Sequence, residues 1–80
     1  MTAAQAETRT FSVRARDVDS HHARTLEEAS FEAAAVAYVE DFHPPVGADN
    51  EISVIVRELG TGREHCFRID LDSGDTAPCG

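Results

Sequence analysis

Residues 30–45 read SFEAAAVAYVEDFHPP, and the way this stretch starts, repeats and stops decides the fold. Ser30 is a residue whose hydroxyl accepts from a free N–H at the first turn of a helix. Phe31, Ala34, Ala35, Tyr38, Val39 and Phe42 then recur at helical spacing and form one apolar stripe. Five alanines between positions 29 and 37 raise helical propensity and let the helix approach a sheet closely. Pro44 and Pro45 cannot continue the ladder and restrict the residue before them, so the helix ends near Phe42. Glu40 and Asp41 lie at its negative end, a local conflict with the helix dipole.

The segments on either side alternate instead. From Thr10, Phe11, Val13 and Ala15 point one way, and Ser12, Arg14 and Arg16 the other, the period of a half-buried strand. Past a linker at Val46–Asn50, Ile52, Val54 and Val56 alternate with Ser53, Ile55 and Arg57, and Leu59 is a candidate extension. Gly60, Thr61 and Gly62 form a tight connection. His65–Leu71 is the next strand, with Phe67, Ile69 and Leu71 inward and Cys66, Arg68 and Asp70 outward. Asp72, Ser73 and Gly74 mark a turn before a short tail. Residues 17–29 are ambiguous: Asp17, Asp19 and Ser20 read as a turn, and Ala23–Glu27 is read as loop in preference to a strand pairing back onto the first. Residues 1–9 have no periodicity and are expected to form a disordered tail before a single domain at 10–80.

These elements give an α+β fold of two layers, ordered β-α-β-β. One helix lies on one face of a mostly antiparallel sheet of three strands, or up to five if Ala23–Glu27 and the tail both pair. Two orders of the three main strands are open. Order 1-3-2, in which the last strand fills a gap left by the crossover, is preferred because it centres Phe67 and Ile69. The alternative is 1-2-3, with the first two strands parallel.

Composition narrows the function. The chain has 80 residues, 41% apolar and 28% charged, within the range of a folded globule. Its net charge is −8, and all seven basic residues are Arg, a balance that repels phosphate backbones and makes nucleic acid an unlikely partner. No run of 18 apolar residues could cross a membrane as a helix. The first residues do not look like a secretory signal, so a cytoplasmic protein with reduced Cys66 and Cys79 is the expectation.

Taken together, SFEAAAVAYVEDF (30–42) and EISVIVRELGTGREHCFRIDLDSGDTAPC (51–79) resemble a family of small uncharacterised bacterial proteins, a domain of unknown function, over residues 10–79. The resemblance implies a bacterial origin and no activity, and it transfers no functional residues.

The richest pattern is the outward side of the sheet, where Arg14, Arg16, Arg57 and Arg68 gather around Ile55. Guanidinium forks match carboxylates and phosphates in pairs. The simplest account is a solvated face with these arginines paired to Asp70, Glu51, Glu58 or Glu64. A more specific one is capture of an acidic protein surface, including a second copy as a homodimer. An anionic ligand or RNA comes last, since the face lacks aromatic residues on which bases stack.

His21 and His22, with Asp17 and Asp19 nearby, and Cys79 or Cys66 are the foremost candidate metal ligands, but none has the C-x2-C or H-x3-H spacing that puts ligands around one ion. Asp70-Leu71-Asp72-Ser73-Gly74-Asp75 departs from a calcium loop because Gly74 stands fifth and no Glu closes it, so it reads as an acidic turn. A thiol nucleophile would need Cys66 or Cys79 beside His65 or His22. Tyr38 is expected at the core edge with its hydroxyl in water. The chain is therefore read as a non-catalytic accessory or protein-interaction module without a cofactor, self-associating through the open face or a strand edge. A small metal- or anionic-ligand-binding protein is the alternative.

Overall fold

A computed structural model describes residues 8–16, 18, 20–44, 46–47 and 49–79. Among the described residues, five strands and one helix follow in the order β1 (Arg9–Ala15), β2 (Arg24–Glu28), α1 (Phe31–Phe42), β3 (Glu51–Glu58), β4 (Glu64–Asp70) and β5 (Thr76–Pro78), with a 3-10 turn at Ser20–His22. They form one sheet of order β2-β1-β3-β4-β5. Every adjacent pair is antiparallel, and α1 packs on one face. The expected disordered tail lies outside the described residues for positions 1–7, and Arg9 already belongs to β1.

The helix starts and stops as its sequence requires. Ser30 has extended backbone, and its hydroxyl accepts from the Ala33 N–H at 3.0 Å. At the other end His43 adopts the left-handed region at φ 46° and donates its N–H to the Val39 carbonyl, which closes the last turn before the prolines. Ala34, Ala35 and Tyr38 reach the core, but Phe42, expected on the same stripe, is 43% exposed. It lies at the last turn of the helix, against Tyr38 and under the Arg24 guanidinium.

Alternation sets the sheet. Phe11, Val13 and Ala15 of β1, Ile52, Val54 and Val56 of β3, and Ile69 of β4 face the helix and are buried. Phe67 and Leu26 pack against the margin of that core. Leu59 and Leu71 fall in turns and are exposed, so neither extends a strand nor faces inward as expected. Tyr38 departs from its expectation too: it is buried, and its hydroxyl accepts the Ala15 N–H at 3.2 Å inside the protein.

Two preferences are corrected here. Residues 24–28, read as loop, form β2, paired with β1 from Arg9↔Glu28 to Val13↔Arg24. With β2 in place, the three main strands stand in order 1-2-3, not 1-3-2, and the first two are antiparallel rather than parallel. The reason is the extra reversal. β2 turns back along one side of β1, so the crossover through α1 runs from β2 to β3 and lands on the other side of β1, leaving no gap to fill. The tail does pair, as β5 on β4.

Two glycines carry the turns. Gly62 at φ 78° closes the β3–β4 hairpin by donating to the Glu58 carbonyl at 2.7 Å, and Gly74 at φ 80° donates to the Asp70 carbonyl at 2.7 Å. The carboxylate of Asp70 accepts the backbone N–H groups of Asp72 and Ser73. The acidic stretch at 70–75 is therefore a side-chain-stabilised turn.

Candidate functional site

The sheet face turned away from α1 is built by the same pleat that builds the core. Odd positions of β3 and even positions of β1 and β4 point outward, so the register puts Ser12 opposite Arg57, Arg14 opposite Ile55, Ile55 opposite Cys66, and Ser53 opposite Arg68. Arg14, Ile55, Arg57 and Arg68 thus share one side. Arg16, just past β1, joins them by lining an open depression of about 420 Å³ with Ile55, Glu64, His65, Cys66 and Cys79. A smaller depression, about 120 Å³, lies between Ser12, Arg14, Ala23, Ile55, Arg57 and Glu64. Ile55 and Glu64 are common to both.

The arginines differ in how they are held. Arg14 is half-buried, and its guanidinium donates to the carbonyls of Val18 at 2.9 Å and Arg16 at 3.4 Å. It braces the loop after β1. Arg16, Arg57 and Arg68 are exposed, and no side-chain hydrogen bond or ion pair joins them to another described residue. None of the carboxylates proposed as their partners forms an ion pair with them among the described residues. Asp70 serves its own turn. Glu58 follows Ile52, Val54 and Val56 onto the helix side and is only 7% exposed. There it accepts from the Arg9 guanidinium at 3.4 Å and the Thr61 hydroxyl at 3.0 Å. Arg9, which no motif singled out, also covers the Phe11 and Phe31 rings from 5.4 and 5.5 Å. Glu64 stands opposite Arg57 in register but makes no ion pair with it. The one salt bridge among the described residues is Arg9–Glu58.

The cysteines are not free thiols. Cys66 and Cys79 form a disulfide, with Cα atoms 5.3 Å apart and a separation of 13 in sequence, correcting the reduced state expected. Both sulfurs are thereby withdrawn from metal ligation and from nucleophilic attack. His65, the neighbouring base, rests its ring against Phe31 at 4.4 Å on the helix side. His21 and His22 stack on each other at 4.4 Å in the 3-10 turn. Among the described residues no three His, Cys, Asp or Glu side chains converge as metal ligands. Asp17 and Asp19, which stood near this pair in sequence, lie outside the described residues.

The disulfide has a mechanical role. It joins β4 to the three-residue edge strand β5 on the outer face, where Cys79 also donates its N–H to the Cys66 carbonyl at 3.0 Å. Ala77 and Pro78 are exposed and Thr76 is half-buried, so β5 adds little to the core. Its ladder bonds contribute about 1 kcal/mol each, against about 1–2 kcal/mol per residue for ordering the backbone. A cross-link closing a loop of this size contributes about 3 kcal/mol and decides the balance.

The fold and site thus define a small α+β domain with one covered and one open sheet face, the open one arginine-bearing and crossed at its margin by a disulfide. Residues 9–80 match a family of unknown function, DUF5961, and the chain belongs to that family. Neither a curated protein nor a solved structure matches it.

Proposed function

We propose that the protein is a non-catalytic interaction module whose open sheet face receives an acidic protein segment. The observation that carries this reading is the lack of any carboxylate partner for Arg57 and Arg68 among the described residues, in a chain of net charge −8. Two guanidinium forks without a carboxylate partner among the described residues, beside a half-buried Ile55, suit a carboxylate-bearing strand or helix, with an apolar contact at the centre and charge around it. The larger depression holds its two cysteines as a disulfide rather than as thiols, which fits docking better than thiol catalysis. Self-association is the version in which a second copy supplies the acid, from the exposed Glu32, Glu40 and Asp41 of its α1.

The test is a titration with a fluorescently labelled oligoglutamate peptide, followed by anisotropy. Replacing Arg14, Arg57 and Arg68 together by Ser is expected to weaken binding about tenfold or more, with the wild-type affinity itself falling as salt rises. Equal affinity in the two proteins ends the proposal. Sedimentation tests the self-associating version, and a monomer at tens of micromolar removes it.

A further inference from the structure

We propose that the Cys66–Cys79 disulfide is a redox latch on β5 that governs the open face. β5 is the last strand of the sheet, three residues long, and outside the core. Its hydrogen bonds do not outweigh the cost of ordering it, so the covalent bond holds it in place. The same bond lies on the functional face: Cys66 stands opposite Ile55 in register, and Cys66 and Cys79 together wall the larger depression. With the latch closed the depression is complete. With it open, β5 leaves β4, and the wall contributed by Cys79 goes with it.

The opening step is thiol–disulfide exchange with a dithiol reductant. One reductant sulfur attacks Cys66 or Cys79 and forms a mixed disulfide. The second reductant sulfur then displaces the protein thiol. The reductant ends as a disulfide, having given two electrons and two protons, and the protein ends with two thiols. Cys66 and Cys79 are half-buried and line an open depression, so the bond is within reach of such a reagent. The core does not depend on it, since β1, β3 and α1 bury their side chains elsewhere.

The regulatory part rests on the acidic-segment reading above, but the latch is tested without it. Amide hydrogen exchange is followed on the full chain, oxidised and after dithiothreitol, and on the Cys66→Ser/Cys79→Ser variant. Reduction and the double variant are each expected to speed exchange at Ala77 and Cys79 about tenfold or more, leaving Val13, Val54 and Val56 protected. Oligoglutamate affinity is expected to fall about tenfold in the same samples. Undiminished protection of the β5 amides overturns the latch. Loss of protection at Val13, Val54 and Val56 as well also overturns it, because the bond is then a staple for the whole domain. Release of β5 with unchanged peptide affinity overturns the control of the face. Failure of the peptide to bind even the oxidised chain defeats the acidic-segment reading alone, and the exchange data still decide the latch.

Discussion

Tyr38 shows how a single atom can matter more than a side chain's class. Its ring belongs to the helix stripe, but its hydroxyl is the acceptor for the buried Ala15 N–H, at the point where β1 ends. Tyr38→Phe keeps the ring and orphans that donor, and it is expected to cost about 1–2 kcal/mol in urea unfolding. An unchanged midpoint would mean the amide has another acceptor. The periodicity of residues 31–42 places the ring but says nothing of its tip, so this bond was not legible. Glu58 is different. Its position, two past Val56, puts it on the helix side by the same alternation that places the valines. Its charge masked that signal, and the Arg9 that neutralises it lies 49 positions away, beyond the reach of any local pattern. The outward grouping of Arg14, Arg57 and Arg68 needed only parity within three strands, which the sequence displays; that Arg57 and Arg68 have no carboxylate partner among the described residues depends on how Glu58, Glu64 and Asp70 are placed, which it does not.

Elements were legible in proportion to how one-sided they are. α1 has a cap, a stripe and a stop, and β3 has three inward and three outward residues in strict alternation, so both emerged from residue type alone. β2 has one partly buried apolar residue, Leu26, among Arg24, Thr25, Glu27 and Glu28, and backbone pairing with β1 carries most of its definition. That weak signature hid a whole reversal of the chain and, with it, the strand order. The charges that hid β2 also protect its outer edge from pairing with another sheet. The strength of the α1 signal is measurable: Ser30→Ala removes the acceptor for the Ala33 N–H and is expected to cost about 1 kcal/mol by chemical denaturation. A loss near zero would show that tertiary packing alone fixes where the helix begins.

For the molecule as a whole, charge is the dominant long-range term. With 15 acidic and 7 basic residues and one ion pair among the described residues, repulsion between carboxylates outweighs attraction. Sodium chloride raised from about 10 to 150 mM shortens the screening distance from about 30 to 8 Å. It is therefore expected to raise the urea midpoint, while weakening capture of an acidic peptide on the open face. A midpoint that falls with salt would mean that Arg9–Glu58 and similar local attractions prevail. The two effects have opposite signs in one titration series, which separates the stability of the domain from the electrostatics of its face.

The place of β1 between β2 and β3 has a consequence for biosynthesis. The strand made first is interior to the finished sheet, and one of its flanks is filled only when Glu51–Glu58 has left the ribosome. At about 5–20 residues per second, the nascent β1–β2 hairpin waits roughly two to six seconds with the β3 flank of β1 unpaired. During that interval the chain is a natural client for a chaperone, and synonymous codons that slow translation between Phe31 and Asn50 would lengthen the exposure and lower the soluble yield.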